Sequence, residues 1–355
     1  VKLAKRLEKM GAHILAVKDM AGLCRPYAAF ELVRALKEEI GLPIHFHTHD
    51  SSGLNATTLL KAAEAGVDIV DGAVSSMSGS TSQPNLNSMV ASLRHTPRDT
   101  GLDEEALSDC SRYWETVRTY YLPFDNAPRH GSADIYRHEI PGGQFTNLQQ
   151  QAAGMGLGHR WPEVEAMYAD VNQLFGDIVK VTPSSKVVGD MALFLLSKGM
   201  TCDEVRALPA GHSVAFPDSV REMMAGALGQ PPDGWPEDVQ RIVLRDEPAR
   251  PGRWGATLEP ADFEAVAEEL AHKIERKPTQ DEVLSYILYP RVFLDYAGMR
   301  RAFSDVGVLP TPVFFFGMAT GEETTIEIEP GKRLIAKFLA VGDPHSDGTR
   351  TVFFE

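Results

Sequence analysis

Over its first hundred residues the chain alternates short apolar runs with amphipathic stretches, and this restricts the fold more than any other feature. Residues 13–20 form an apolar run of buried-strand length. Residues 26–39 follow with Ala29, Leu32, Val33, Leu36 and Ile40 at helical spacing, and Gly41 stops that helix. A second strand is expected at 44–50, a helix at 55–65, a strand at 67–74 and a helix near 85–94. Strand and helix recurring at roughly 30 residues per unit signify a parallel sheet covered by helices. In a (β/α)8 barrel the chemistry collects at the C-terminal ends of the strands. Here those ends carry Lys18, a row of histidines and Ser75-Ser76-Met77-Ser78-Gly79. Only about four strands are legible where a closed barrel needs eight, so the expectation for 1–100 is the second half of a TIM barrel. Leu3, Leu7 and Met10 open the chain at helical spacing without a lead-in or an initiating Met, as expected of a piece of a longer protein.

The strand at 44–50 reads Ile44-His45-Phe46-His47-Thr48-His49-Asp50. Successive side chains of a strand point to opposite faces, so Ile44, Phe46 and Thr48 share one face and the three histidines the other. Imidazoles at i, i+2 and i+4 can converge on a metal ion; the alternative is a row of hydrogen-bonded histidines. If Ile14 and Ala16 face inward, the same alternation turns Lys18 inward, at the height of His47 and His49. An ammonium beside a metal is repelled. An ion pair with a carboxylate would relieve it simply; reaction with carbon dioxide to a carbamate would instead make it an anionic oxygen ligand.

Farther along, Lys180-Val181-Thr182-Pro183-Ser184-Ser185-Lys186 reads as a helix start, with Thr182 as N-cap and Pro183 in the first turn. A capping hydroxyl accepts a hydrogen bond and keeps its own proton free to donate, so Thr182 has both a structural and a chemical reading.

Helices are expected at 102–121, 161–175, 183–200 and 217–228, a polar glycine-rich loop at 129–148, and a Pro/Gly-rich connector at 231–252. A charged helix at 260–276 precedes a change of texture near 285, after which 313–317, 324–328, 332–341 and 351–354 read as strands. The expected domains are therefore 1–100, a helical region over 101–284, and a small α/β module over 285–355.

A net charge of -14 argues against nucleic acid or an anionic membrane as partner. No apolar run approaches the ~18 residues that span a bilayer. Cys24, Cys110 and Cys202 are odd in number and widely spaced, as expected of a cytoplasmic protein with reduced thiols. The chain holds no P-loop, no G-x-S-x-G elbow and no Met-Lys-Met that would carry biotin.

Five motifs together resemble the carboxyltransferase region of the pyruvate carboxylase family. They are Val17-Lys18-Asp19-Met20-Ala21-Gly22, His47-Thr48-His49-Asp50, Ser75-Ser76-Met77-Ser78-Gly79 with Thr81-Ser82-Gln83-Pro84, His138-Glu139-Ile140-Pro141-Gly142-Gly143-Gln144, and the 180–186 segment. They run in the family's order over most of 1–230. Gly321-Glu322-Glu323, Ile326-Glu327-Ile328-Glu329 and Gly331-Lys332 resemble its allosteric and tetramerisation module.

The resemblance implies a TIM barrel whose helical funnel completes the active site, and a C–C bond-forming ligase that transfers a carboxyl group from carboxybiotin to pyruvate, giving oxaloacetate. It implies Lys18 as a carbamylated metal ligand beside His47 and His49, with His45 left as a deeper core residue and zinc or manganese as the divalent metal. Thr182 would shuttle a proton between pyruvate and biotin, and Ser185 and Lys186 would lie near the entering biotin ring. The partners implied are a biotinyl carrier domain, absent here, and a homotetramer. ATP and bicarbonate would be used on another absent domain. The family's first barrel half is also outside the sequence, and Asp50-Ser51 departs from the more common Asp-Thr. The alternatives are a related oxaloacetate decarboxylase or transcarboxylase subunit, or a non-catalytic assembly module on the same fold.

Overall fold

Ile44, Phe46 and Thr48 are fully buried while His45 and His47 are not, so β2 (Ile44–Thr48) is the two-faced strand its alternation predicts. In the computed structural model, which describes all residues except 246 and 251 within the expected connector, β2 is the centre of a parallel three-stranded sheet. β1 (Leu15–Asp19) lies on one side of it and β3 (Ile69–Val70) on the other. The strand expected over 67–74 is thus only two residues long. Past it, Asp71 still donates its N–H to the Phe46 carbonyl (3.3 Å), and Ala73 makes an isolated bridge with Asn85.

Helices cover one face of this sheet. α2 (Pro26–Glu39) buries Ala29, Val33 and Leu36, and α3 (Asn55–Glu64) buries Leu59, Ala62 and Ala63, against Ile44, Phe46 and the half-buried Leu15 and Val17. Each fully buried Val or Leu side chain contributes about 1.5–3 kcal/mol, which pins this face inward. One expectation fails on this point: Leu32 lies outside the buried stripe of α2. Ala16 and Lys18 share with His45 and His47 the face turned away from the helices, which is the inward face in a (β/α)8 barrel, and Ile14 lies exposed just before β1. α1 (Lys2–Lys9) buries Ala4 and α4 (Leu86–Leu93) buries Met89, Val90 and Leu93; Asn85 caps α4 through the Ser88 N–H.

Beyond α5 (Glu104–Tyr121), the expected loop at 129–148 holds two helices, α6 (Ile135–His138) and the start of α7 (Gly142–Gly154). With α8 (Trp161–Leu174), α9 (Ser184–Lys198), α10 (Cys202–Arg206), α11 (Asp218–Met224) and α12 (Glu237–Leu244) they enclose a second core around Leu148, Tyr168, Phe175, Met191, Leu195 and Met224.

Contacts divide the chain into Val1–Thr257 and Leu258–Glu355. In the second unit α13 (Phe263–Ile274), α14 (Gln280–Leu288) and α15 (Pro290–Phe303) pack on Leu270, Val283, Tyr286 and Phe293. The run Val313-Phe314-Phe315-Phe316, expected as a strand, is instead in a short helix, α16 (Thr311–Phe316), with Pro312 in its first turn. β4 (Glu323–Glu329), β5 (Lys332–Pro344) and β6 (Arg350–Phe354) then form an antiparallel sheet. Among the described residues no helix is long and apolar enough to cross a membrane.

Candidate active site

The parallel register sets Lys18 of β1 opposite His47 of β2, and Asp71 lies just past the paired end of β3. The Asp71 carboxylate takes two imidazole hydrogen bonds: His47 Nδ1 lies 2.7 Å from Oδ2 and His45 Nε2 lies 2.8 Å from Oδ1. Burial works to raise the Asp71 pKa, but the histidine bonds outweigh it and hold the carboxyl below its ordinary range. An ionised carboxylate only accepts, so His47 carries its proton on Nδ1 and His45 on Nε2. His49, nearly buried, places Nδ1 2.7 Å from the Thr81 carbonyl, which likewise fixes its proton there. Burial pushes the His49 pKa down and keeps the ring neutral. The two rings stand edge to face, centroids 5.3 Å apart, and among the described residues neither Nε2 has a hydrogen-bond partner. That is the arrangement of ligand histidines, whose other nitrogen is bound to a carboxylate or carbonyl.

The three-histidine arrangement is not what the structure holds. His45 spends Nε2 on Asp71, and it is half-exposed rather than a deeper core residue, because it shares the open sheet face with Lys18. Among the described residues no cluster of three His, Cys, Asp or Glu side chains is arranged to hold a metal. Two imidazoles are an incomplete ligand set, and Lys18 is the residue in register to extend it.

The strand tips are braced from below. Asp19 accepts the N–H groups of Leu23 and Cys24 (both 2.9 Å) and the Thr48 hydroxyl (2.9 Å), and Asn55 donates to the Thr48 oxygen (3.0 Å). Burial, with the nearby Asp19 charge, pushes the Cys24 thiol up to about 11, and burial does the same for Cys202, so neither is a thiolate nucleophile at neutral pH.

Thr182, Ser185 and Lys186 occupy a different place, the start of α9. Thr182 is exposed and does not cap the helix. The helix begins at Ser184 with Pro183 in the cap position, and the Thr182–Pro183 bond is cis. Closure of the turn falls to Ser184, whose hydroxyl accepts from the Val181 N–H (3.1 Å) and lies 2.7 Å from the Val179 carbonyl. Ser185 is buried, its carbonyl accepting from Tyr168 Oη (3.2 Å), and the exposed Lys186 pairs with Asp190 (2.6 Å).

Among the described residues no hydrogen bond or ion pair joins this group directly to the histidines. α7 connects them. At its N-terminus, Gly142 donates its N–H to the Met20 carbonyl (3.1 Å), and a Cβ there would lie 2.8 Å from the Thr81 oxygen and 3.0 Å from His49 Nδ1. Within the first two turns of α7, Gln144 and Leu148 press against α9 at Gly189, where a Cβ would lie 2.9 Å from each side chain. Just before α7, Glu139 reaches the largely buried Lys180 (2.7 Å), two residues from Thr182. Beside this segment, His138, Glu165, Phe145 and Thr81 help line a cavity of about 210 Å³. Burial pushes the His138 pKa down to about 4; its Nδ1 accepts from the Ile140 N–H.

Sequence reasoning missed Asp71, and it quoted Thr81 and Glu139 within motifs without giving either a role. An acidic residue ending the strand beside His47 was a signal for the first; Thr81 acts through its backbone, so its side chain gave none.

Residues 135–337 match the family described as the conserved carboxylase domain, and residues 1–113 match the HMGL-like family. The chain is 49% identical over 353 residues to the pyruvate carboxylase of Bacillus subtilis (strain 168), covering 99% of this chain and 31% of that protein. It is 44% identical over 356 residues to the mitochondrial pyruvate carboxylase of Homo sapiens, covering 99% of this chain and 30% of that protein. The chain thus spans about a third of the length of these relatives. Among solved structures, the carboxyl transferase domain of Rhizobium etli pyruvate carboxylase superposes with a TM-score of 0.94 at 50% identity, covering 100% of this chain and 59% of that one. A structure of the same domain with pyruvate and biocytin matches equally well.

Proposed function

The chain belongs to the conserved carboxylase domain family, in the form found in pyruvate carboxylases, and from that premise we propose that it performs the carboxyl transfer from carboxybiotin to pyruvate that yields oxaloacetate. The observation that carries this reading is the pair of imidazoles, His47 and His49, with Nδ1 tied off and Nε2 free beside Lys18. With Lys18 as a carbamate, these residues fit a divalent ion such as zinc or manganese. Two nitrogens and an anionic oxygen suit either metal. When bound, the ion supplies Lewis acidity toward the pyruvate carbonyl.

The chain's own part is proton handling and placement. We assign to the exposed Thr182 hydroxyl the transfer of a pyruvate methyl proton toward biotin, which a carrier domain outside this sequence presents. Its exposure and its freedom from any cap bond support that role. Ser185 and Lys186, in the first turn of α9, are assigned to the approach of the biotin ring. ATP and bicarbonate belong to the carboxylation of biotin elsewhere in a complete enzyme.

The expected boundary at 284/285 falls inside α14, so we place the histidine half of a TIM barrel in 1–100, a helical funnel from 101 to 257, and an assembly and regulatory module, expected over 285–355, within the unit Leu258–Glu355, where it supports a homotetramer. The exposed apolar side chains of Ile335, Phe353 and Phe354 support the last assignment. The free cysteines fit a cytoplasmic protein.

Elemental analysis and mass spectrometry of the purified chain test the core of the proposal. One divalent ion per chain and a carbamate at Lys18 are expected, with the ion lost in His47→Ala and in His49→Ala but kept at saturation in His45→Gln. Stoichiometric metal in both alanine variants overturns the assignment.

A further inference from the structure

The two imidazole anchors at the strand tips are not alike. His49 is oriented by a backbone carbonyl, whereas His47 is oriented by the Asp71 side chain, which also accepts a hydrogen bond from His45 two residues earlier on the same sheet face. Lys18, His47 and Asp71 therefore form a row across three parallel strands at one height, with His45 beneath it.

We infer that Asp71 is the positioning residue of the histidine pair: its carboxylate, shared by His45 and His47, selects the His47 tautomer that leaves Nε2 free as a ligand. This deepens the proposed metal site and rests on that reading. The geometry explains why a carboxylate is required. A neutral amide at 71 has one acceptor oxygen and one donor nitrogen, so it cannot accept from both rings. One histidine would then face an N–H and be driven to its other tautomer. For His47, that tautomer puts the proton on the nitrogen that has to bind the ion. His45 has its own part here. By occupying Oδ1 it holds the carboxylate in the plane that presents Oδ2 to His47, so an imidazole that resembles a third ligand serves as a brace. A carboxylate behind a ligand histidine is worth about 10–100-fold in metal affinity.

The test uses the whole 355-residue chain, labelled with nitrogen-15 in its histidines. Without metal, wild-type His47 is expected as the Nδ1–H tautomer, and in Asp71→Asn the Nε2–H form is expected to rise. Mn2+ affinity, measured by electron paramagnetic resonance, is expected to fall about 10–100-fold in Asp71→Asn and by less in His45→Gln, which keeps the Asp71–His47 bond. A His47 tautomer unchanged in Asp71→Asn, with Mn2+ affinity within about twofold of wild type, overturns the inference. Should Asp71→Asn fail to fold, His45→Gln decides the matter at a half-exposed position. An Mn2+ affinity there within about twofold of wild type removes the brace and refutes the shared-carboxylate arrangement. The metal reading fails separately, if His47→Ala and His49→Ala bind Mn2+ like wild type; the tautomer of metal-free wild type and Asp71→Asn then still decides the role of Asp71.

Discussion

Gly142 approaches His49 so closely that a β-carbon on it would stand 3.0 Å from Nδ1 and 2.8 Å from the Thr81 oxygen to which that nitrogen donates. The N-terminus of α7 is therefore seated on the hydrogen bond that orients one of the two candidate ligands. Glycine is required there for space, since the carbonyl is backbone and cannot swing away. Gly142→Ala is expected to cost about 1–3 kcal/mol through overpacking and to weaken metal retention by displacing His49. Thermal unfolding and elemental analysis read the two effects. An alanine variant with wild-type stability and full metal content would show that α7 yields without disturbing the site.

Thr182 and Ser184 divide the roles that the sequence assigns to one residue. Because Ser184 closes the turn before α9, Ser184→Ala should lose about 1 kcal/mol of stability. Thr182→Ala, with no cap to lose, should leave the unfolding curve unchanged. In a complete enzyme it should lower carboxyl transfer by roughly 10²–10⁴-fold, with Thr182→Ser recovering part of the rate. Biotin carboxylation with ATP should persist. A Thr182→Ala enzyme with normal transfer would remove the hydroxyl from the chemistry.

The Glu139–Lys180 pair is the other restraint on the Thr182 segment. Lys180 is 9% exposed, so Glu139→Gln leaves a buried ammonium without a counter-charge and should cost about 1–3 kcal/mol. Adding Lys180→Met removes the stranded charge and should recover much of that loss. Urea midpoints of the single and double variants measure it. A double variant less stable than Glu139→Gln would show that packing by the lysine stem matters more than the charge.

His138 makes stability depend on pH. Burial pushes its pKa in the folded chain down from 6.5 to about 4. Below pH ~6.5 the unfolded chain binds a proton there that the folded chain does not, so the contribution of His138 is full above that pH. It is lost as pH falls toward about 4, a change of about 2–3 kcal/mol. Urea unfolding of wild type and His138→Gln between about pH 7 and about pH 4.5 should show the wild type losing stability more steeply. Parallel curves would contradict the burial argument.

Local pattern carried the first unit well where one physical demand dominated. The alternation of Ile44 to Thr48 and the stripe of Ala29, Val33 and Leu36 report burial against a sheet, and both elements lie where their residues place them. The pairing of Lys18 with His47 followed from the matching heights of two parallel strands. α7 was hidden because its start, Gly142-Gly143, lies in a polar, glycine-rich stretch that reads as loop, whereas its helix is held by packing of Leu148 against Gly189. The phenylalanine run of α16 has strand propensity, and a single helical turn between Pro310 and Gly317 overrides it. The restraints on His49 and Lys180 come from residues 32 and 41 positions away, beyond the reach of any local pattern.

The two anchors also differ in what mutation can do to them. The oxygen that holds His49 belongs to the main chain, so any side chain at 81 that preserves the backbone path preserves the anchor. The oxygen that holds His47 is written in the genetic code at a single position, 71. In the proposed metal site, a lineage or an engineer can therefore alter the His47 anchor through residue 71 while the His49 anchor stays constant.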